Sequence, residues 1–169
     1  MAEAPEDDPF LPLTEDHANF VEKLTELEAT LDEMMETREA SEGNIDLLEE
    51  AIRFLEEELL PHFDLEERVV LPALEAKVGR YGSLVNVVEY EHSEIRREIG
   101  KLGESLAALK TKRDGPHFPE IQEINRHGVF TIQFLSDHFR KEKMSLFPTA
   151  RQELSQEELE RIRSELRRA

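Results

Sequence analysis

The chain of 169 residues contains no cysteine. That absence removes disulfides, thiolate metal sites and cysteine nucleophiles together, so any metal must be held by imidazole and carboxylate. Glycine (7) and proline (8) are scarce while charged residues make up 36% of the chain. Such a balance argues against a turn-rich sheet protein, and helices are expected nearly throughout. No run approaches the roughly 20 apolar residues of a membrane span. The opening MAEAPEDDPF has neither a basic segment nor the apolar stretch of a secretory leader, so a cytoplasmic location is expected. Positive charge is in deficit too, with 21 Lys and Arg against 39 Asp and Glu and a net charge of -18. A surface of that sign repels phosphate backbones and anionic membranes, so neither nucleic acid nor a membrane is expected as a partner. No motif points to a protein partner.

The length suits one domain with one core. Residues 1–13 are acidic and carry Pro5, Pro9 and Pro12, which reads as an extended arm with Phe10, Leu11 and Leu13 tucked against the body. Thr14 is placed to cap a first helix, along which Phe20, Leu24, Leu27 and Leu31 recur at helical spacing to about Ala40. A break at SEGN precedes a second helix with Ile45, Leu48, Ile52, Leu55 and Leu59 on its buried face; Pro61 and Pro72 should each bend it before GRYG closes it. The third helix starts at Ser83 and buries Leu84, Val88, His92, Ile95, Ile99, Leu102 and Leu106. RDGPHFP is a strong breaker, and Pro119 opens a fourth helix carrying Ile121, Ile124, Thr131, Leu135, His138 and Glu142. Beyond Pro148, residues 151–169 end in a short helix capped by Ser155 with Glu158. These elements predict an all-α fold, an up-down-up-down four-helix bundle over 14–150 with a short C-terminal helix.

The six histidines are spent unevenly. HFDLEERVVLP, from His62, and HFRKEKMSLFP, from His138, share an opening His-Phe, a Glu four places on and a Pro ten places on. In a helix, residues four apart lie on one face, so His62 with Glu66 and His138 with Glu142 each direct an imidazole and a carboxylate to one point. His17 and His92 fall on the apolar stripes of the first and third helices. Counted from the intervening breaks at 1.5 Å per residue, His17 and His62 differ in height by about 7 Å, His92 and His138 match, and His62 and His92 are offset by about 12 Å. Four histidines and two glutamates in one layer of an apolar core would cost several kcal/mol if nothing neutralised them. Two cations bridged by the carboxylates would do so, and nitrogen and oxygen donors without sulfur suit iron, manganese or zinc.

At these residues the sequence resembles the hemerythrin family, in particular the hemerythrin-like HHE cation-binding domains. His17, then His62 to Glu66, then EYEHSEI around His92, then His138 to Glu142 is similar to the family's ligand order, and a proline follows each Glu. The resemblance implies two non-haem irons, oxo- or hydroxo-bridged. It makes Glu66 and Glu142 the bridges, and His17, His62, His92 and His138 the terminal ligands. Small molecules such as O2, peroxide or nitric oxide are the implied partners.

One feature departs from the oxygen carriers of that family, which present His-x-x-x-His on the third helix. Here Val88 precedes His92 and Arg96 follows it at that spacing. Glu89, three before His92, and Glu67, beside Glu66, are candidates for the gap, as is water. Fewer protein ligands favour chemistry with O2, peroxide or nitric oxide over reversible storage. A sensing or interaction bundle that responds to iron or oxygen without turnover is the alternative expectation. Ferritin-like bundles need Glu-x-x-His on two helices, and only Glu89 to His92 has that spacing. His127 lies about 16 Å along the axis from His138, too far to join the site. His117 falls in the breaker segment, and neither Tyr81 nor Tyr90 is placed to be a ligand.

Overall fold

A computed structural model of the protein describes residues 7–81, 83–112 and 114–169. Among them there is no strand, and five helical rods account for the fold. The first, α1, is Leu11–Thr37, and α2 runs without a break over 42–78. Next come α3, Leu84–Thr111, and α4, a continuous rod over 118–153. The last, α5, is Gln156–Arg168. Each of the first four packs against its chain neighbour and α1 also packs against α4, which closes an up-down-up-down square with α1 diagonal to α3 and α2 diagonal to α4. No helix among the described residues is long and apolar enough to cross a membrane.

The expected arm over 1–13 is described only from Asp7 onward; within that part Leu11, Pro12 and Leu13 already belong to α1. Pro12 sits in the first turn, where its missing N–H has no helical partner to lose, so the helix starts ahead of Thr14. The Thr14 hydroxyl donates to the Phe10 carbonyl instead of capping. Phe10 is fully buried and stacks on Phe147 with 5.0 Å between ring centroids, while Asp8 accepts two 2.9 Å hydrogen bonds from Arg151. Ser41 and Asn44 form a reciprocal capping box that starts α2, and Ser155 with Glu158 does the same for α5. Leu84 is only partly buried; Val85 takes the core position beside it.

The helices continue through the prolines expected to bend them. Each follows a π-helical turn: Leu55–Leu59 before Pro61, Glu66–Val70 before Pro72, and Glu142–Leu146 before Pro148. A proline ring clashes with the carbonyl four residues back, which in all three cases lies inside the π turn. Widening that turn to i→i+5 bonding moves the carbonyl aside and lets the helix continue. Two of the wide turns begin at Glu66 and Glu142, whose carbonyls accept from the N–H groups of Leu71 and Phe147.

Three apolar layers fill the interior. At one end Leu31, Met34, Leu48, Leu102, Leu106 and Ile124 pack together, and Gly128 lets α4 approach so closely that an added Cβ would lie 2.4 Å from Leu31 Cδ1. A middle layer holds Phe20, Leu59, Phe63, Ile95, Leu135 and Phe139. The far end holds Leu13, Val70, Val88, Leu146 and Phe147, closed off by Leu159, Ile162 and Leu166 of α5. Along each of α1 to α4, the polar residues of interest fall between the middle and far layers.

Candidate metal centre

Six polar side chains are buried in that gap: His17, His62, Glu66, His92, His138 and Glu142, the two glutamates and His92 and His138 being wholly inaccessible. They form two sets. His17 from α1 and His62 from α2 bring their Nε2 atoms to 3.2 Å; His92 from α3 and His138 from α4 bring theirs to 3.1 Å. The carboxylates, on diagonal helices, span both sets. Glu142 places Oε2 3.1 Å from His17 Nε2 and Oε1 2.5 Å from His138 Nε2. Glu66 places Oε1 against His62 Nε2 and Oε2 4.0 Å from His92 Nε2. One atom each from His17, His62, Glu66 and Glu142 fits within 4.8 Å, as does one each from His92, His138 and Glu142.

The offset of about 12 Å between His62 and His92 counted along the sequence is larger than the one observed, which is about one turn. His92 lies against Phe63, stacked at 3.9 Å and 12°, and against Glu66 and Glu67. It therefore meets α2 about four residues nearer the connecting break than His62, or about 6 Å lower.

The outward face of the histidines has its own polar partners. His62 Nδ1 lies 2.9 Å from Asp16 Oδ2, His92 Nδ1 2.9 Å from Glu67 Oε1, and His138 Nδ1 3.5 Å from Glu91 Oε2. Arg96 donates to both Glu67 oxygens at 2.9 and 3.0 Å, and Lys141 pairs with Glu91. Asp16 and Glu91 had no role in the reading of the sequence; the available signal was an acid immediately before both His17 and His92. Glu67 backs an imidazole rather than filling the third-helix gap. Glu89 is corrected outright: its carboxylate turns away to Arg80. His127 Nδ1 donates to Glu98 Oε2 at 2.9 Å, and His117 Nε2 donates to the Lys112 carbonyl at 2.9 Å, both outside the cluster.

Titratable groups are concentrated here and shift one another. Burial would lower the His62 pKa, but Glu66, Asp16 and Glu142 overcome it and lift the group to about 10. Burial is likewise outweighed at His138, where Glu142 and Glu91 lift the pKa to about 9. Burial and the neighbouring Glu142 carboxylate push Glu66 up. Burial opposes ionisation of Glu142 as well, yet the imidazoles of His138, His17 and His92 hold it well below the usual carboxylate range. None of the four oxygens of Glu66 and Glu142 accepts a well-directed hydrogen bond. Buried carboxylate oxygens in that condition are costly. Four imidazole nitrogens and four carboxylate oxygens converging without sulfur form a donor set that fits two borderline cations.

The bundle and this cluster define a helical metal-centre fold. The chain matches the family model described as Hemerythrin HHE cation binding domain over residues 11–150, and it belongs to that family. A search of curated proteins finds no significant match. The family implies a metal-binding site, and the buried His and Glu groups lie within the matched residues.

Proposed function

We propose that the protein is a non-haem di-iron protein that reacts with or senses O2, peroxide or nitric oxide, with His17, His62, Glu66, His92, His138 and Glu142 as the metal ligands. The observation that supports this reading best is Glu142, which directs one oxygen to each histidine pair while buried and free of any well-directed hydrogen bond. A carboxylate in that position serves two ions at once and offsets their repulsion; Glu66, from the opposite helix, lies against His62 and 4.0 Å from His92. Iron at both positions would supply one-electron redox chemistry and coordination sites for small diatomic or peroxidic molecules; manganese and zinc share the donor preference.

The protein's own groups bias this toward reactivity over storage. Val88, one turn before His92, is fully buried in the far apolar layer and offers no donor, so the His92 and His138 set has three protein donors against four in the other. Phe63, Phe139 and Phe147 press against the imidazoles and limit bulk water. The same orphaned oxygens favour a second reading, in which iron occupancy chiefly stabilises the bundle and so reports iron or oxygen to a partner, because gathering ligands from four helices converts binding energy into folding energy.

Metal analysis together with a visible spectrum tests the proposal. Two irons per chain, with near-ultraviolet charge-transfer absorption that changes on adding peroxide or nitric oxide, is the expected result. A colourless protein holding zinc, with no spectral response, would contradict it. A large metal-dependent shift in Tm without peroxide turnover selects the second reading.

A further inference from the structure

The site is built twice. His17 and His62 are 45 residues apart and His92 and His138 are 46 apart, and each pair ends in His-x-x-x-Glu followed by a π turn. The outer partners follow the same repeat. Asp16, just before His17, backs His62 at 2.9 Å; Glu91, just before His92, faces His138 Nδ1 at 3.5 Å, without a directed hydrogen bond. Glu67, just after Glu66, backs His92 from the first position of its π turn but one. The residue just after Glu142, at the corresponding position of the second π turn, should back His17. It is Lys143.

Among the described residues no carboxylate meets His17 Nδ1. Its ring rests instead on Phe139, 4.4 Å away at 25°, and it keeps 7% of its surface exposed, more than any other of the six. A hydrogen bond from Nδ1–H to a carboxylate fixes the tautomer and orientation of a metal-binding imidazole and strengthens its donor nitrogen, and loss of such a partner costs about 10–100-fold in metal affinity.

Resting on the dinuclear reading above, we propose that Asp16, Glu67 and Glu91 are positioning residues for three of the four imidazoles. Lysine in place of a fourth acid at position 143 leaves His17 Nδ1 with no carboxylate among the described residues, which makes the metal position on His17 and His62 the exchangeable one. Donor number argues for the opposite order of release, since that position has four protein donors and the other three. The two considerations therefore give different results in one experiment.

The full-length protein is loaded with cobalt(II), and release to a chelator is followed through the visible spectrum. Two phases are expected, with the fast one absent in His17→Ala. Lys143→Glu slows the fast phase by about 10-fold and leaves the slow phase unchanged, while Glu67→Gln accelerates the slow phase by a similar factor. Lys143→Gln, which removes the charge without supplying an acceptor carboxylate, leaves the fast phase as it was. The proposal is overturned if Lys143→Glu changes neither phase, if Lys143→Gln reproduces its effect, or if His92→Ala rather than His17→Ala removes the fast phase. Failure to take up cobalt at all would contradict the dinuclear reading instead.

Discussion

His17 Nε2 and His62 Nε2 lie 3.2 Å apart, although they come from different helices and are 45 residues apart in the chain. Two imidazole lone pairs that close need a proton or a metal ion between them, and His92 with His138 repeats the arrangement. His62→Ala or His138→Ala should therefore lower iron content to one or fewer per chain, measured by elemental analysis. His117→Ala should leave it unchanged, because that ring lies outside the cluster and bonds the Lys112 carbonyl.

Glu142 contributes to both donor sets, whereas Glu66 meets His62 closely and His92 only at 4.0 Å. Glu142→Gln removes the charge that serves both positions and replaces one of the two oxygens with an amide nitrogen that does not ligate. It should be more damaging than any single histidine loss, with Glu66→Gln intermediate. Retention of two irons in Glu142→Gln would show that the carboxylate does not bridge.

The apo protein should have its own pH profile. His62 and His138 carry folded-state pKa values of about 10 and about 9 against an ordinary 6.5. Raised histidine values mean stability that is complete below pH 6.5 and lost as pH rises toward 9 to 10. Glu66, raised by burial and by Glu142, acts in the same direction. Glu142 is depressed, so its contribution is present above its ordinary value of 4.5 and lost as pH falls. Apo stability should peak in mild acid, between about pH 4.5 and 6.5. Metal binding requires deprotonated ligands, so the stabilisation it adds should grow from pH 5 to 8. Urea titrations of apo and loaded protein across that range would show it; coincident profiles would exclude it.

Val88 bears on reactivity. Its side chain is wholly buried where the oxygen carriers of the family place an imidazole, one turn before His92. The reduced protein should pass to the ferric spectrum quickly in air, by stopped-flow absorption, and the ferric protein should respond to small anions or peroxide. Val88→His should slow that passage. A wild-type protein that takes up and releases O2 reversibly would contradict the assignment of an open position.

Much of the centre was legible in the sequence because helical spacing is rigid: His62 with Glu66 and His138 with Glu142 had to share a face, and the stripes carrying His17 and His92 had to face the core. What spacing does not convey is the vertical fit between helices. The mismatch of His62 and His92 counted from the breaks is larger than the real one, since His92 stacks on Phe63, the residue next to His62. The π turns were also hidden, since a proline at the tenth position reads equally as a bend or as a widened turn. Glu89 was plausible by its distance from His92, but Arg80, in the preceding loop, claims its carboxylate. The acids backing the imidazoles were concealed among 39 acidic residues; only Asp16 and Glu91 were set apart, by their repeated place before each first histidine.

The most direct measurement of the central claim is an anaerobic iron(II) titration of the metal-free protein, followed by elemental analysis after removal of loosely bound ions. Two tightly bound irons per chain are predicted, falling to one or none in Glu142→Gln. A single iron per chain in the wild type, or two that survive loss of the Glu142 carboxylate, would contradict a dinuclear centre built on that bridge.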